Sequence, residues 1–176
     1  STGATLGNLT INGIIIGADA VNLTGNFVQT TGSFTAQGNL TVGAAFTLNA
    51  GTITTFGATM VTGATTINTG TLNIQGSGMT ALAGSTDIGL VGAGIINVLS
   101  STTFAGVVTV SGTGPGTLNL RAGTTFGDAM TVQGGGTFDA TVNAFTVVFN
   151  AGSTYNFNNN NANLNLGIIV GGDPTI

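Results

Sequence analysis

Gly or Asn interrupts this chain every six to ten residues, and between the interruptions apolar and polar side chains alternate one for one. Phe34-Thr35-Ala36, Leu40-Thr41-Val42, Phe46-Thr47-Leu48, Leu72-Asn73-Ile74, Val108-Thr109-Val110, Leu118-Asn119-Leu120 and Leu164-Asn165-Leu166 all follow this pattern. A period of two marks strands with one face buried, and the β-branched and aromatic residues that fill them favour the same conformation. Segments this short leave no room for a helix to nucleate and grow. The expectation is an all-β chain with essentially no helix.

The alternating units also recur at a longer interval. Thr-Thr-Phe occurs at 54–56, 102–104 and 124–126, and Thr-Leu-Asn at 47–49, 71–73 and 117–119. Steps such as Phe104 to Phe126, Thr47 to Thr71, Thr71 to Thr117 and Phe56 to Phe104 are one or two multiples of about 22 to 24 residues, a period typical of solenoids. Coils of about 22 residues, each holding three short strands, would divide residues 1–176 into about eight coils of a single-domain parallel β-helix, roughly 38 Å tall at 4.8 Å per coil. In such a body apolar residues fill the bore, Thr and Asn face outward, and Gly and Asn turn the corners, where φ > 0 is tolerated. Repeated Asn at the turns, and the run Asn158 to Asn161, could stack as amide ladders.

Composition narrows the function. Charged residues make up 3% of the chain, against roughly 25% in ordinary globular domains, and the polar share is carried by 33 Thr and 19 Asn beside 31 Gly. Hydrophobic residues account for 41% and mean hydropathy is +0.49, the opposite of a disordered chain. No apolar run approaches the roughly 18 residues of a membrane-spanning helix. One Tyr and no Trp argue against the aromatic girdles of a membrane β-barrel. A net charge of −4 and a pI near 4.1 lack the basic footprint of nucleic-acid binding.

Catalytic material is scarce. With no His and no Cys, the conventional acid–base candidates reduce to Asp19, Asp87, Asp128, Asp139, Asp173 and Tyr155. Asp128 and Asp139 lie about half a coil apart and should occupy different faces, unlike the carboxylate pair of a glycosidase. Arg121, the sole basic residue, has Asp139 or Asp128 as a potential partner on an adjacent coil. Neither zinc nor calcium finds its usual ligands, and Gly134-Gly135-Gly136 lacks the Lys of a phosphate loop. No enzymatic activity, cofactor or metal is expected. Ice recognition would call for a sustained Thr-x-Thr array, of which Thr52-Ile53-Thr54 and Thr69-Gly70-Thr71 are only fragments.

Residues 41–146, most clearly Gly63-Ala64-Thr65-Thr66-Ile67-Asn68-Thr69-Gly70-Thr71-Leu72-Asn73-Ile74, resemble the parallel β-helix passengers of bacterial autotransporters and filamentous-haemagglutinin-like adhesins. Gly7-Asn8-Leu9-Thr10-Ile11-Asn12-Gly13 and Gly38-Asn39-Leu40-Thr41-Val42 are similar to units of phage tail-fibre shafts, which implies a trimeric fibre instead. These residues leave no room for the translocator barrel of a full autotransporter, so delivery by that route would need a further C-terminal part.

The two ends complete the reading. A solenoid leaves open sheet edges that natural proteins cover with polar caps. Here both end stretches are strongly apolar, and Leu9, Ile11, Ile14, Ile15, Ile16, Leu164, Leu166, Ile168, Ile169 and Val170 are the candidate subunit contacts. Top-to-bottom contacts between copies do not close, so they produce an open filament. The alternative is a terminal segment folded back over its own end. The start at Ser1, without Met or a leader, reads as a mature secreted chain. Asn8, Asn22 and Asn39 sit in N-x-Thr sequons and are candidate glycosylation sites. The expected function is a structural subunit of an extracellular filament or matrix with itself as partner. The alternative is an adhesin or tail-fibre shaft binding surfaces or glycans.

Overall fold

In a computed structural model the chain is a parallel β-solenoid, described over residues 4–111, 114–140, 147–150, 155–158 and 163–166. The first coil contains β1 (Ala4–Leu6), β2 (Leu9–Ile11) and β3 (Ile14–Gly17), and each of these strands founds an eight-stranded sheet. The following coils span 21–36, 40–55, 59–74, 80–98, 102–120 and 124–140, and the eighth comprises Val147–Phe149, Tyr155–Asn158 and Asn163–Leu166. Every strand pairs in parallel with its counterpart in each adjacent coil. Seven such steps of about 4.8 Å separate the first coil from the last by about 34 Å. No helix forms among the described residues, so none is long and apolar enough to cross a membrane.

The repeat length differs from the sequence expectation. In the first sheet Val21 pairs with Leu40 and Leu40 with Thr59, so these coils advance by 19 residues rather than 22 to 24. An advance of 22 holds only later, from Thr80 to Thr102 and on to Thr124. Corners explain the change. The corner between the first and second sheets keeps three residues from the second to the seventh coil, as in Gly43-Ala44-Ala45 and Gly127-Asp128-Ala129. Growth enters at 75–79, between the third and first sheets, and at 89–93, between the second and third. Thr71, Ile95 and Thr117 are true equivalents, as are Phe104 and Phe126. Thr47 belongs to the second sheet opposite Thr66, not to the Thr71 column, and Phe56 lies exposed at a corner.

Glycine is required where coils touch through backbone. Gly32, Gly51 and Gly70 stack in successive corners at positive φ, and a Cβ on Gly51 would stand 2.0 Å from the Gly32 carbonyl oxygen.

A three-residue strand turns its first and third side chains inward and its second outward, giving the buried–half-buried–buried pattern that runs through the body. Identical inward positions stack into columns. The Phe27 and Phe46 rings lie 4.9 Å apart and nearly parallel, and Phe104, Phe126 and Phe149 form a second stack with spacings of 5.3 and 5.1 Å. Burial of these rings and the aliphatic columns is the main stabilising term. The bore is not wholly apolar, however: Thr55, Thr59, Thr65, Thr80, Thr86, Thr102, Thr124 and Gln29 are buried inside it. Threonine was expected on the outer faces, and it occupies both.

Candidate functional site at the open ends and outer faces

At the N-terminal end, β1, β2 and β3 carry one free edge each, because each is the terminal strand of its sheet. Leu6 and Ile15 occupy inward positions above which Leu23 and Phe34 are buried, yet they are 42% and 40% exposed, since no coil among the described residues lies beneath them. Ile14 and Ile16 point to the outside of the third sheet and are 80% and 67% exposed. The next coils place Ser33 and Thr35, then Thr52 and Thr54, in those outward positions. Thus β3 is apolar on both faces, the pattern of a strand covered on both sides. Leu9 is half-buried against the core, and Ile11 is fully buried within it, so Ile11 offers no side-chain surface to a partner.

At the other end the last strands of the three sheets among the described residues are Val147–Phe149, Tyr155–Asn158 and Asn163–Leu166. Leu164 pairs with Phe138 and Leu166 with Ala140 in the terminal strand of the third sheet. Ile168, Ile169 and Val170 lie outside the described residues. The same is true of Asp173 and of Asn159 to Asn161 in the Asn run.

Among the described residues, amide ladders form on the third sheet and at the corner beside it. On the outside of the third sheet, Asn97 donates through Nδ2 to Asn73 Oδ1 at 2.8 Å, and Asn119 donates to Asn97 Oδ1 at 2.9 Å. Asn68 donates to Asn49 Oδ1 at 2.8 Å across the neighbouring corner, where the Thr69 hydroxyl also donates to the Asn49 carbonyl. The ladder's next position is Asp139, whose carboxylate can only accept when ionised. Arg121 Nη2 binds Asp139 Oδ2 at 2.7 Å, and Nη1 donates to the Leu120 carbonyl at 2.8 Å. Both partners are partly solvated, so the pair contributes at most about 1 kcal/mol.

The remaining candidates are dispersed. Asp128 stands on the corner between the first and second sheets, accepting from the Ala129 amide at 2.7 Å, and thus on a different face from Asp139. Asp19 is exposed at another corner, and Asp87 faces outward from the second sheet. Among the described residues, no three His, Cys, Asp or Glu side chains converge to hold a metal ion. Of the sequon asparagines, Asn8 and Asn39 are exposed at corners, where their Oδ1 atoms accept from the Asn26 and Ala58 amides at 2.7 and 3.0 Å. Asn22 sits half-buried in mid-strand. Thr52 and Thr54 extend into paired outward rows with Thr71 and Asn73, whereas Thr69 is a corner residue, so Thr69-Gly70-Thr71 is no flat unit.

No protein-family model, curated protein or solved structure matches the chain.

Proposed function

We infer that the chain is a non-catalytic structural subunit that stacks end to end, through its free strand edges, into a filament outside the cell. The observation that carries this reading is the N-terminal coil. It combines three free parallel edges with the exposed inward side chains Leu6 and Ile15 and the exposed outward pair Ile14 and Ile16. A neighbouring copy's terminal coil offers a complement of the same three-sheet geometry, so one docking event would extend all three ladders. Uncovered edges of this kind drive edge-to-edge growth unless charge or proline blocks them, and this coil has neither. The contact joins unlike ends, so it propagates instead of closing. Secretion rests on the sequence reading alone.

Negative-stain electron microscopy over a range of concentrations tests the reading. Fibres with an axial repeat near 38 Å, eight coils of about 4.8 Å, are expected, and Ile15→Lys should shorten or abolish them by placing a charge in the junction. Discrete particles at every concentration would overturn stacking. A closed trimer would favour the second reading, an adhesin or tail-fibre shaft. The uncharged outer rows of Thr and Asn on the third sheet favour that reading as a display surface for glycans.

A further inference from the structure

We propose that ordered water molecules occupy the bore at the fourth and fifth coils, bridging threonine hydroxyls from one coil to the next. The hydroxyl oxygens of Thr55, Thr59, Thr65, Thr80 and Thr86 are fully buried and make no hydrogen bond to the protein. Buried hydroxyls are ordinarily satisfied, and five orphans together would cost an amount comparable with the whole net stability of a domain. Two threonines in the same column solve the problem within the protein. Thr102 and Thr124 donate to the carbonyls of Ser100 and Ala122 at 3.0 Å. Thr59 and Thr80 below them do not, and neither do Thr65 and Thr86 in the second-sheet column or Thr55 in the third sheet one coil earlier.

The geometry fits water. Thr65 pairs with Thr86, and Met60 with Ala81, which sets Thr80 directly above Thr59. Side chains one coil apart are separated by about 4.8 Å, too far for a hydroxyl to reach its neighbour directly. Two hydrogen bonds of about 2.8 Å meeting at one oxygen span that gap at an angle of about 120°, close to water's own preference. Room comes from a change in filling. The second-sheet column runs Phe27, Phe46, Thr65, Thr86, and the first sheet has its first aromatic at Phe104, after Val42, Val61 and Leu82 in the same column. Coils four and five hold no aromatic side chain, although the corner joining their first two sheets keeps its three residues. A polar, roomy site lined by several hydroxyls is where buried water is retained.

Magic-angle-spinning NMR reads fibre and monomer alike, so the test does not depend on assembly. Magnetisation transfer from water to the γ-methyl groups of Thr65 and Thr86 is expected in the unaltered protein, with none to Leu118 or Phe138 in the apolar column of the third sheet. Thr65→Ser with Thr86→Ser should preserve the water signal at their β-protons. Thr86→Val should erase the transfer at Thr65 and lower the unfolding midpoint by about 2–4 °C, the shift for one lost hydrogen bond in a chain of this size. Absence of transfer in the unaltered protein would overturn the proposal. So would a midpoint raised by Thr86→Val, because removing a dry, orphaned hydroxyl relieves the chain.

Discussion

Asn97 makes two bonds with one side chain, donating to Asn73 below and accepting from Asn119 above. Each amide in such a row polarises the next, so the middle member matters more than its partly exposed position suggests. Asn97→Ala should destabilise the protein by about 1–2 kcal/mol, seen as a fall of about 2–4 °C per kcal/mol in the thermal midpoint. Thr35→Ala, which removes an outward side chain with no such bonds, should stay within about 0.5 kcal/mol of the parent. Equal effects at the two positions would mean that the ladder contributes nothing. Which Asn would join a ladder was not legible in the sequence. The 19 asparagines look alike in one dimension, and only the registers of the third sheet set Asn73, Asn97 and Asn119 in line while leaving Asn8 and Asn39 to hold corner amides.

Single strands were readable because a period of two survives any local insertion, and all seven segments chosen by alternation are strands. The coil was read less well because its length is set by corners. Two Thr-Leu-Asn triplets share a column and the third does not, since Thr47-Leu48-Asn49 ends a second-sheet strand and enters a corner. Inward threonines were missed for a related reason: position within a three-residue strand, not residue type, decides which face a hydroxyl meets. Because the second to fourth coils share a strict 19-residue step, one of them is removable as a unit. Deleting residues 40–58 would bring Thr59 onto Val21 with every strand in phase. Nearest-neighbour stability predicts a folded, shorter protein with an unchanged β-type circular dichroism spectrum. Deleting nine residues from the same place would shift the inward set outward and abolish folding.

For the molecule as a whole, scarcity of charge makes Arg121 the single tryptic site of the sequence. Its guanidinium is engaged by Asp139 and the Leu120 carbonyl, and its backbone amide donates to Val98 at 2.8 Å. Trypsin should leave the folded protein intact and cut the unfolded chain once, into fragments 1–121 and 122–176, so gel electrophoresis after brief digestion at rising temperature reports unfolding directly. Cleavage well below the transition seen by circular dichroism would show that the seventh coil opens on its own. The architecture was legible in the sequence at this scale. The fate of the C-terminal apolar stretch was not, because Ile168 to Val170 lie beyond the described residues. The lengthening of the corners also has a mechanical meaning. Tension applied to the two termini would pull along the solenoid axis and peel it coil by coil. A coil of 19 residues releases about 65 Å of slack and one of 22 about 75 Å. A pulled molecule would therefore yield in shorter steps from its early coils than from its later ones, and the order of the steps along the trace would reveal which end gave way first.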